Sequence, residues 1–452
     1  MASTQNHPFI VIGAGVSGLA AAVTLRRRGI DPLVLEAQSH VGGASHSESQ
    51  SGYLVESGPN TMLLSNPDTA AFLKENDLLD KTLDAAPQAK NRFVVRNGKP
   101  LALPTSPFDF FQNPVLSWPA KLRLCLEPFI PRGNDSDETL ADFVRRRMGT
   151  EPLRELVGPF VSGVYAGDPE RLIVRHALPK LYRLEQDYGS LILGSIRKGG
   201  GSGPKGRLVS WAGGYSELTA SLASQLGDRI RLSCPVQTLR RKTDGFELET
   251  PTGPLHAKQV IVATDAAHAS RLVSPLIPET SALEHIHHPP LLVLHLGFPR
   301  SQVSHPLNGF GVLISRARGL RTLGALFSST LFPHRAPEGQ VLLTAFIGGA
   351  YDLGVLELDD SDALRVAMDD LSPLLGLRGQ PSFHRITRWP QAIPQYEIDH
   401  PKTIAACEKA EAALPGLYLL GNYRGGISSA DCLANGYKLG RTSSMRTSAR
   451  DP

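Results

Sequence analysis

A strand that runs directly into three regularly spaced glycines constrains this chain more than any other feature. Residues 9–36 read FIVIGAGVSGLAAAVTLRRRGIDPLVLE. The stretch begins as an apolar strand and turns through Gly13, Gly15 and Gly18 in the pattern G-x-G-x-x-G. It continues as a helix and ends in a second apolar strand before Glu36. This order predicts a Rossmann-like βαβ unit with a dinucleotide at the turn.

Each residue of this motif has a separate physical role. Gly13 permits the tight turn from strand to helix, Gly15 lets a pyrophosphate approach the backbone, and Gly18 lets the helix pack closely on the strand. The first turn of the helix offers free N–H groups to the phosphates. Glu36 stands 18 positions after Gly18, where a carboxylate accepts hydrogen bonds from ribose hydroxyls and disfavours a 2′-phosphate. The pattern therefore disfavours NADP.

Two further segments favour FAD over NAD. Gly42 and Gly43 follow the second strand, where a glycine pair suits the extended pyrophosphate of FAD. Near the other end of the chain, Gly421 and Asn422 follow another apolar strand. This combination resembles the glutathione-reductase and amine-oxidase flavoproteins, in which a late strand ends in such a pair close to FAD. Ala44 departs from that pattern, in which an arginine often follows the glycine pair.

Composition excludes several classes of protein. The 452 residues are 41% hydrophobic and 20% charged, which is typical of a globular chain of two or three domains. A net charge of +4, without basic runs interleaved with aromatic residues, disfavours nucleic-acid binding. The four cysteines lack C-x-x-C spacing, so neither a disulfide framework nor a metal site is expected.

The apolar run at residues 9–25 resembles a signal peptide or membrane span only superficially. The preceding residues, MASTQNHP, contain no Lys or Arg, whereas a signal peptide starts with a basic part. No other run approaches the roughly 18 apolar residues that a spanning helix needs. With eight residues ahead of the strand, we expect a bacterial cytoplasmic protein without an organelle-targeting peptide.

The distribution of motifs predicts an α/β fold whose FAD-binding domain is discontinuous. Short strand patterns over 290–350 predict an antiparallel sheet, and residues 94–104 predict a hairpin with Asn97 and Gly98 at its tip. Helices are expected over 215–226 and 361–375. The glycine-rich stretch 198–206 is expected to be a mobile linker, and residues 1–7 and 441–452 are expected to be disordered. The predicted limits are 1–85, 207–280 and 400–452 for the FAD-binding domain, 86–103 and 281–399 for a mixed-sheet substrate domain, and 104–200 for a helical domain.

Strings along nearly the whole chain resemble the protoporphyrinogen oxidases of the flavin amine-oxidase superfamily. They are VESGPNTM, RFVVRNGKPLALPTSP, PFVSGVYAGDPERL, SLILGSIR, GFGVLIS, TLGALFSSTLFPHRAP, RWPQAIPQY and GNYRGGIS. The resemblance implies FAD- and oxygen-dependent, six-electron oxidation of protoporphyrinogen IX to protoporphyrin IX in haem biosynthesis. Oxidation of coproporphyrinogen III, a flavin amine oxidase or desaturase on the same fold, and a non-catalytic FAD-binding protein remain alternatives.

The same resemblance implies a substrate site. Arg92 matches the family's propionate-binding arginine. An arginine suits a carboxylate because its planar guanidinium can bond both oxygens. Arg96 is its local competitor, since both would share a face of one extended strand. Three further residues match the apolar walls that clamp the pyrrole rings, although each also suits an ordinary core: Leu313, Leu326 and Phe346.

Other assignments concern the cofactor and the reaction. Gly163 matches a glycine whose carbonyl faces the macrocycle, although it also suits close helix packing. Trp389 and Val236 are assigned to the cofactor, and a buried structural role is equally open for Trp389. No side-chain base is assigned. A histidine cluster lacks metal-ligand spacing and is interpreted as a solvated loop: His285, His287 and His288.

The proline-rich stretch 104–131 is unusually dense in aromatic residues. They are Phe108, Phe110, Phe111, Trp118 and Phe129, with Lys121 and Arg123 close by. This resembles the family's membrane-facing region, and an aromatic and basic surface suits the lipid interface. Packing between domains is the alternative. For the whole chain, the resemblance implies three partners: a tetrapyrrole substrate, molecular oxygen and the inner face of the cell membrane. A homodimer is also considered.

Overall fold

The structure is a computed structural model that describes residues 6–198 and 206–443. The expected linker over 198–206 and the expected disorder of both chain ends fall largely outside these residues. The first strand begins at Asn6 and the last helix ends at Thr442, so disorder there was wrongly expected. In chain order the strands are β1 (Asn6–Ile12), β2 (Pro32–Leu35), β3 (Ser47–Gln50), β4 (Tyr53–Glu56), β5 (Met62–Leu64), β6 (Leu83–Asp84), β7 (Phe93–Arg96), β8 (Lys99–Ala102), β9 (Arg207–Ser210), β10 (Ile230–Arg231), β11 (Thr238–Lys242), β12 (Gly245–Thr250), β13 (Gly253–Val262), β14 (Leu291–Pro299), β15 (Gly311–Leu313), β16 (Thr322–Leu326), β17 (Gln340–Gly348), β18 (Phe383–Trp389) and β19 (Leu417–Leu419).

Helices connect and cover these strands. In chain order they are α1 (Val16–Arg27), α2 (Pro67–Glu75), α3 (Pro107–Gln112), α4 (Trp118–Cys125), α5 (Leu140–Arg147), α6 (Thr150–Pro152), α7 (Gly158–Tyr165), α8 (Val174–Ala177), α9 (Pro179–Tyr188), α10 (Leu191–Arg197), α11 (Tyr215–Leu226), α12 (Ala266–Val273), α13 (Ser328–Leu331), α14 (Asp360–Leu375), α15 (His400–Ala413) and α16 (Ser429–Thr442). The bounds of α11 match the prediction, and those of α14 differ from it by one residue.

The first sheet collects strands from three distant stretches of the chain. Its order is β10–β2–β1–β13–β12–β11, and β19 also pairs with β13. Strands β10, β2, β1, β13 and β19 run parallel, whereas β11, β12 and β13 pair antiparallel. The register aligns Ile12 with Leu35 and Val262, and Val262 with Leu419. These carboxyl ends are therefore level at one edge, where open α/β sheets bind ligands. The predicted discontinuous Rossmann-like fold is confirmed.

Small residues let the last helix pack against the first. A Cβ added to Gly436 of α16 would lie 2.3 Å from the carbonyl oxygen of Ser17 in α1. A Cβ on Gly440 would lie 2.6 Å from the Cβ of Thr24. Arg28, just beyond α1, donates to the carbonyl oxygen of Gly440 (2.6 Å). Segments from opposite ends of the sequence thus form one layer on the first sheet.

The second sheet has the order β18–β14–β17–β16–β15–β7–β8. Its neighbours pair antiparallel except β15 and β7, which run parallel, so the sheet is mixed as predicted. The hairpin of β7 and β8 has Asn97 and Gly98 at its tip, also as predicted. One face packs on α14 through alternate residues of β14, among them Leu292, Leu294 and Leu296. On the opposite face, Leu291 and Val293 of β14 pack in a separate cluster with Phe346 and Trp389.

The stretch between the hairpin and β9 is helical, as predicted, and has its own core. Leu140, Phe143 and Val144 of α5 pack there with Val161 of α7 and Leu172. In the part of the chain that the structure describes, no helix combines the length and apolarity needed to cross a membrane. The domain limits given above remain a prediction.

A buried arginine links the elements of this helical region. Arg147, at the end of α5, is fully buried and forms ion pairs with Glu127 and Glu185. Its guanidinium also donates to the carbonyl oxygens of Ile130 (2.7 Å) and Gly189 (2.6 Å). Glu127 accepts hydrogen bonds from two backbone N–H groups in the first turn of α10 (2.9 and 3.2 Å). One side chain therefore fixes α5, α9, α10 and the segment after α4 relative to one another.

We predict that Arg147→Met destabilises the protein by about 3–5 kcal/mol, because removing one partner leaves a buried carboxylate uncompensated. Urea unfolding followed by circular dichroism measures the loss. Arg145→Met is the matched control, since Arg145 is a partly exposed residue that pairs with the exposed Glu170. Such surface pairs contribute less than about 1 kcal/mol. Equal losses in the two variants would contradict the role given to Arg147.

Candidate active site

The glycine-rich turn lies between β1 and α1, at the carboxyl edge of the first sheet. Gly13 has a φ of +104°, and a Cβ there would lie 2.6 Å from the carbonyl oxygen of Ala263. A Cβ on Gly18 would lie 2.0 Å from the carbonyl oxygen of Gly13. Neither position has room for a side chain, so both glycines are required by the packing of the turn itself.

Gly15 differs because the space in front of it is open. Its chain neighbours apart, no heavy atom lies within 4 Å of a Cβ built there, and a Cβ on Gly43 meets only the Cα of Gly15, at 3.6 Å. The N–H of Gly42 donates to the carbonyl oxygen of Ala14 (2.8 Å), which joins the two glycine segments. Gly15 also caps α1 without a side chain that could accept from its first turn. Bare backbone and an open helix N-terminus thus border a space that fits a pyrophosphate.

Glu36 follows β2 and is buried beside this turn. Its carboxylate accepts from the backbone N–H groups of Ala14 (2.7 Å) and Gln38 (2.9 Å). Each oxygen retains a further acceptor position for a ribose hydroxyl. Val236 lies on the neighbouring segment, where Cys234 donates its N–H to the carbonyl oxygen of Glu36 (2.8 Å). The residues predicted to hold the nucleoside end of the cofactor are therefore close together.

Gly421 and Asn422 follow β19 at the same edge of the sheet. A Cβ on Gly421 would lie 2.3 Å from the ring of Tyr423. The hydroxyl of Tyr396 donates to the carbonyl oxygen of Asn422 (2.7 Å) and accepts from the N–H of Gly426 (3.2 Å). Tyr396 thereby fixes the loop that the sequence assigns to the flavin. The string RWPQAIPQY contains this tyrosine, yet the sequence interpretation did not single it out.

The three predicted wall residues stand on one face of the second sheet. Leu313 of β15 pairs with Gly324 of β16, and Gly324 pairs with Phe346 of β17. Leu326 pairs with Thr344 two residues further along the same face. Leu313, Leu326 and Phe346 each keep partial exposure, whereas both chain neighbours of each are buried. Gly324 contributes no side chain between Leu313 and Phe346, and we call the partly exposed face formed by these residues and Leu326 the recess.

Helix α7 approaches this recess closely. A Cβ on Gly163 would lie 2.3 Å from Cδ2 of Leu313, so the glycine allows the helix backbone to come near the wall. The backbone of α7 is therefore next to the predicted substrate face.

Trp389 connects the wall to the cofactor side. Its indole N–H donates to the carbonyl oxygen of Ser57 (2.7 Å). A Cβ on the next residue, Gly58, would lie 2.2 Å from the carbonyl oxygen of Ala44, which follows the glycine pair. A chain of direct contacts thus runs from the second glycine segment to the sheet that carries Phe346. Trp389 belongs to the same apolar cluster as Phe346.

The two arginines considered for a substrate carboxylate differ in their surroundings. Arg92 is exposed, lies above the ring of Phe310 at 5.4 Å, and has no acidic partner among the described residues. Arg96 is mostly buried and forms ion pairs with Glu151 (3.0 Å) and Glu155 (3.7 Å). Arg92 directly precedes β7, and its carbonyl oxygen accepts from the N–H of Leu103 (2.8 Å), which continues the pairing of β7 with β8. Arg96 is already neutralised, which leaves Arg92 as the available cation.

A buried ion pair beneath the site was missed by sequence reasoning. Glu56 ends β4, and Arg335 follows α13; both side chains are 1% exposed, and their charged groups lie 2.9 Å apart. Arg335 also donates to the carbonyl oxygen of Asn60 (2.9 Å) and the hydroxyl of Ser210 (2.9 Å). Burial raises the pKa of Glu56 to about 7, against the opposing effect of Arg335. In the sequence, the only indication of this pair is that Glu56 and Arg335 are charged residues close to apolar ones.

The prediction of a solvated loop holds for His285, which is exposed, but not for His287 and His288, which are partly buried. His287 pairs with Glu397 (3.2 Å), and Nδ1 of His288 lies 2.8 Å from the carbonyl oxygen of Ile286. Burial lowers the pKa of His288. These contacts make the cluster part of the support for the segment that leads to Tyr396.

Large apolar side chains are exposed mainly on the helical region. Phe108, Trp118 and Phe129 are 73%, 62% and 81% exposed. Others exposed in the same region are Phe111, Leu122, Leu126, Phe160, Val164, Ile192, Leu193 and Ile196. The contacts of Glu127 with α10 bring the segment around Phe129 next to that helix. We call residues 108–129 together with α10 the apolar surface.

The prediction that Lys121 and Arg123 form a basic part of the membrane-facing surface is wrong. Lys121 is 2% exposed and donates from Nζ to the carbonyl oxygen of Phe111 (2.8 Å). Arg123 donates to the carbonyl oxygen of Arg146 (2.6 Å), near the end of α5. Both cations cap backbone carbonyls inside the helical region, because buried carbonyl oxygens need donors. The surface is therefore apolar rather than apolar and basic at these positions.

Comparison with known proteins agrees with this arrangement. Residues 16–435 match the family described as flavin containing amine oxidoreductase. Protoporphyrinogen oxidase 2 of Arabidopsis thaliana is 34% identical, over 95% of this chain and 92% of its own length. Coproporphyrinogen III oxidase of Bacillus subtilis is 29% identical, over 96% of this chain and 97% of its own.

A solved structure shares the fold over nearly the whole chain. It is a crystal structure of an Exiguobacterium sp. 255-15 protein assigned to the protoporphyrinogen oxidases, with a TM-score of 0.81, 23% identity and 98% of both chains covered. At that identity the likeness establishes the fold alone. Together with the family match and the open glycine cradle, it accounts for the discontinuous sheet and the predicted cofactor. The chain therefore belongs to the flavin containing amine oxidoreductase family and is an FAD-dependent oxidoreductase.

Proposed function

We propose that this enzyme oxidises a porphyrinogen to the corresponding porphyrin. The observation that carries the proposal is the partly exposed row of Leu313, Leu326 and Phe346, which adjoins the FAD-binding edge through Trp389. An apolar recess with a glycine at its centre suits a flat, bulky macrocycle. Arg92, without an acidic partner among the described residues, supplies a cation for a propionate at its border.

The reaction divides between cofactor and protein. FAD, when bound, supplies the capacity to accept two electrons at a time and to pass them to oxygen. Converting a porphyrinogen to a porphyrin removes six electrons and six protons, which three molecules of oxygen take up to give three of hydrogen peroxide. The chain's own part is to hold the macrocycle between its apolar walls, to fix its orientation through Arg92, and to exclude water from the recess.

The substrate within this class is proposed to be protoporphyrinogen IX, in haem biosynthesis. Support comes from the Arabidopsis relative named above and from the apolar character of the recess. Coproporphyrinogen III is the second candidate, supported by the Bacillus subtilis relative. The family description leaves amine oxidation as the alternative chemistry.

One experiment tests the proposal directly. The purified protein is checked for a flavin absorption spectrum and then supplied with protoporphyrinogen IX, coproporphyrinogen III or a primary amine in separate assays. We expect porphyrin fluorescence to rise with at least one porphyrinogen and hydrogen peroxide to form alongside it. Peroxide formation with the amine alone would overturn the proposal.

We also propose that the apolar surface seats the enzyme peripherally on the inner face of the cell membrane. Isolated exposed apolar residues are normal, but a contiguous set marks an interaction site. A porphyrinogen that carries few charges partitions into lipid, so an enzyme lying on the bilayer meets its substrate there. The alternative is that another protein domain packs against the apolar surface.

We predict that Gly15→Val abolishes FAD binding without unfolding the protein. Gly15 has a φ of −69°, which valine tolerates, but the branched side chain would fill the space in front of the turn. The measurement is the flavin absorbance per protein, together with the circular dichroism spectrum. Gly354→Val is the control, because a Cβ there meets only the side chain of Glu357, at 3.7 Å or more, and lies away from the glycine turn. Stoichiometric FAD in the Gly15 variant would show that the cradle has been misidentified.

We predict that Arg92→Ala raises KM about ten- to a hundredfold, because a hydrogen bond to a charged group contributes roughly 1.5–3 kcal/mol. The contact exists in both ground and transition states, so kcat should fall less. Steady-state kinetics with the better porphyrinogen provide the measurement, and Arg92→Lys should recover only part of the loss.

Arg96 cannot be the control for this experiment, because its ion pairs with Glu151 and Glu155 make it structural. Arg378→Ala is suitable, since Arg378 is exposed between α14 and β18. If Arg92→Ala and Arg378→Ala leave KM equally unchanged, the propionate is not bound by Arg92.

We predict that replacing Phe108, Trp118 and Phe129 with Ser weakens binding to liposomes at least about tenfold, since each buried side chain contributes roughly 1.5–3 kcal/mol. Flotation with phosphatidylglycerol-containing vesicles measures the bound fraction. The matched control replaces Leu353 and Ile398, which are 61% and 57% exposed outside the helical region. Unchanged flotation of the triple variant would favour a protein partner for the apolar surface.

A further inference from the structure

A second cavity adjoins the wall of the recess. It has a volume of about 290 Å³ and lies where β15 ends and β16 begins, against α7. Ser162, Ile314 and Leu323 form its inner side. Leu323 packs in the same cluster as Phe346, and Ser162 directly precedes Gly163. The cavity therefore shares its wall with the proposed macrocycle site.

The outer side of this cavity carries an uncompensated cation. Arg316 lies above the ring of Tyr351 at 4.1 Å and donates to that residue's carbonyl oxygen (3.1 Å). Among the described residues no carboxylate pairs with it. The other lining arginine, Arg321, is bound at two atoms by Asp352 (2.8 and 2.9 Å) and is neutralised. The lining thus has a net positive charge that resides on Arg316.

A buried hydroxyl without a partner lies in the same cavity. Thr322 is 1% exposed, and its Oγ1 makes no hydrogen bond. The hydroxyl of Tyr351 is already engaged, since it donates to Asp168 (2.6 Å). The oxygen of Thr322 is enclosed, so the group that the cavity offers to a ligand is the guanidinium of Arg316. A planar guanidinium suits an anion with planar oxygen acceptors, such as a carboxylate.

Arg316 and Arg92 lie at opposite ends of the wall strand. β15 runs parallel to β7 with Val312 opposite Phe93, so Arg92 is level with Gly311. Arg316 follows the other end of β15. At about 3.3 Å per residue, the two positions are separated by on the order of 15 Å along the strand. Ligand groups bound by both would therefore belong to opposite edges of one molecule.

We propose that the cavity containing Arg316 binds a second carboxylate of the macrocycle, on the edge opposite the carboxylate held by Arg92. This rests on the proposed porphyrinogen oxidation and concerns the same recess. Protoporphyrinogen IX carries its two propionates on one edge, whereas coproporphyrinogen III carries a propionate on every pyrrole. Arg316 therefore acts on the four-propionate substrate and determines how well this chain accepts it.

The test compares binding with turnover in the FAD-loaded enzyme. Dissociation constants for coproporphyrin III and protoporphyrin IX are measured by fluorescence, and KM and kcat are measured with the two porphyrinogens. Arg316→Gln removes the charge and keeps much of the side-chain length, and Arg316→Lys restores a charge without the planar fork. Arg378→Gln is the matched control, because Arg378 is exposed, has no acidic partner among the described residues and lies outside the lining of this cavity.

We expect Arg316→Gln to weaken coproporphyrin III binding about ten- to a hundredfold and protoporphyrin IX binding less than about twofold. Arg316→Lys should recover part of the loss, and Arg378→Gln should change neither constant. Equal weakening of both porphyrins, no weakening of either, or a parent enzyme that binds no porphyrin would overturn the second carboxylate site. A parent enzyme that binds coproporphyrin III through Arg316 but oxidises no porphyrinogen would overturn the proposed function and leave the site standing.

Discussion

The buried pair of Glu56 and Arg335 is the interaction on which the relation between the two sheets depends. Glu56 ends β4, just before residues 57–60, and Arg335 follows α13, in the connection between β16 and β17 of the second sheet. The same guanidinium holds the backbone at Asn60 and the end of β9 at Ser210. Burial raises the pKa of Glu56 to about 7, against the opposing effect of Arg335. The desolvation of two buried charges offsets much of their attraction, so the main effect of the pair is on geometry: separating the two residues would leave a buried charge without its partner.

That docking creates the active site. It brings the face carrying Phe346 toward the carboxyl edge of the first sheet, where the glycine cradle opens. Trp389 and Tyr396 then join the two sides by hydrogen bonds to backbone carbonyls at Ser57 and Asn422. Backbone contacts of this kind fix the position of loops without depending on the neighbouring side chains. The candidate site therefore depends on how the two sheets are placed relative to each other rather than on either sheet alone.

The helical region reverses the usual distribution of charge and apolar area. Arg147, Glu127 and Glu185 are buried in its interior, while Trp118 and Phe129 are exposed. The internal charges satisfy one another and nearby backbone groups, which leaves the apolar side chains free to face outward. Such an arrangement suits an environment of low polarity outside the protein. It also explains why Lys121 and Arg123 turn inward, where carbonyl oxygens at the ends of short helices need donors.

The sequence by itself determined the elements whose signals are local. Strand, glycine turn and helix in register predicted the cofactor fold, and the hairpin at Asn97 and Gly98 followed from turn chemistry. The face of the second sheet that carries Leu313, Leu326 and Phe346 could be named only through resemblance, because all these strands read as continuous apolar runs. Only the tertiary structure decided that Arg96 is paired and Arg92 is not. Charge partners and burial depend on contacts between residues far apart in the chain, and no local pattern encodes which of two nearby arginines reaches an acid.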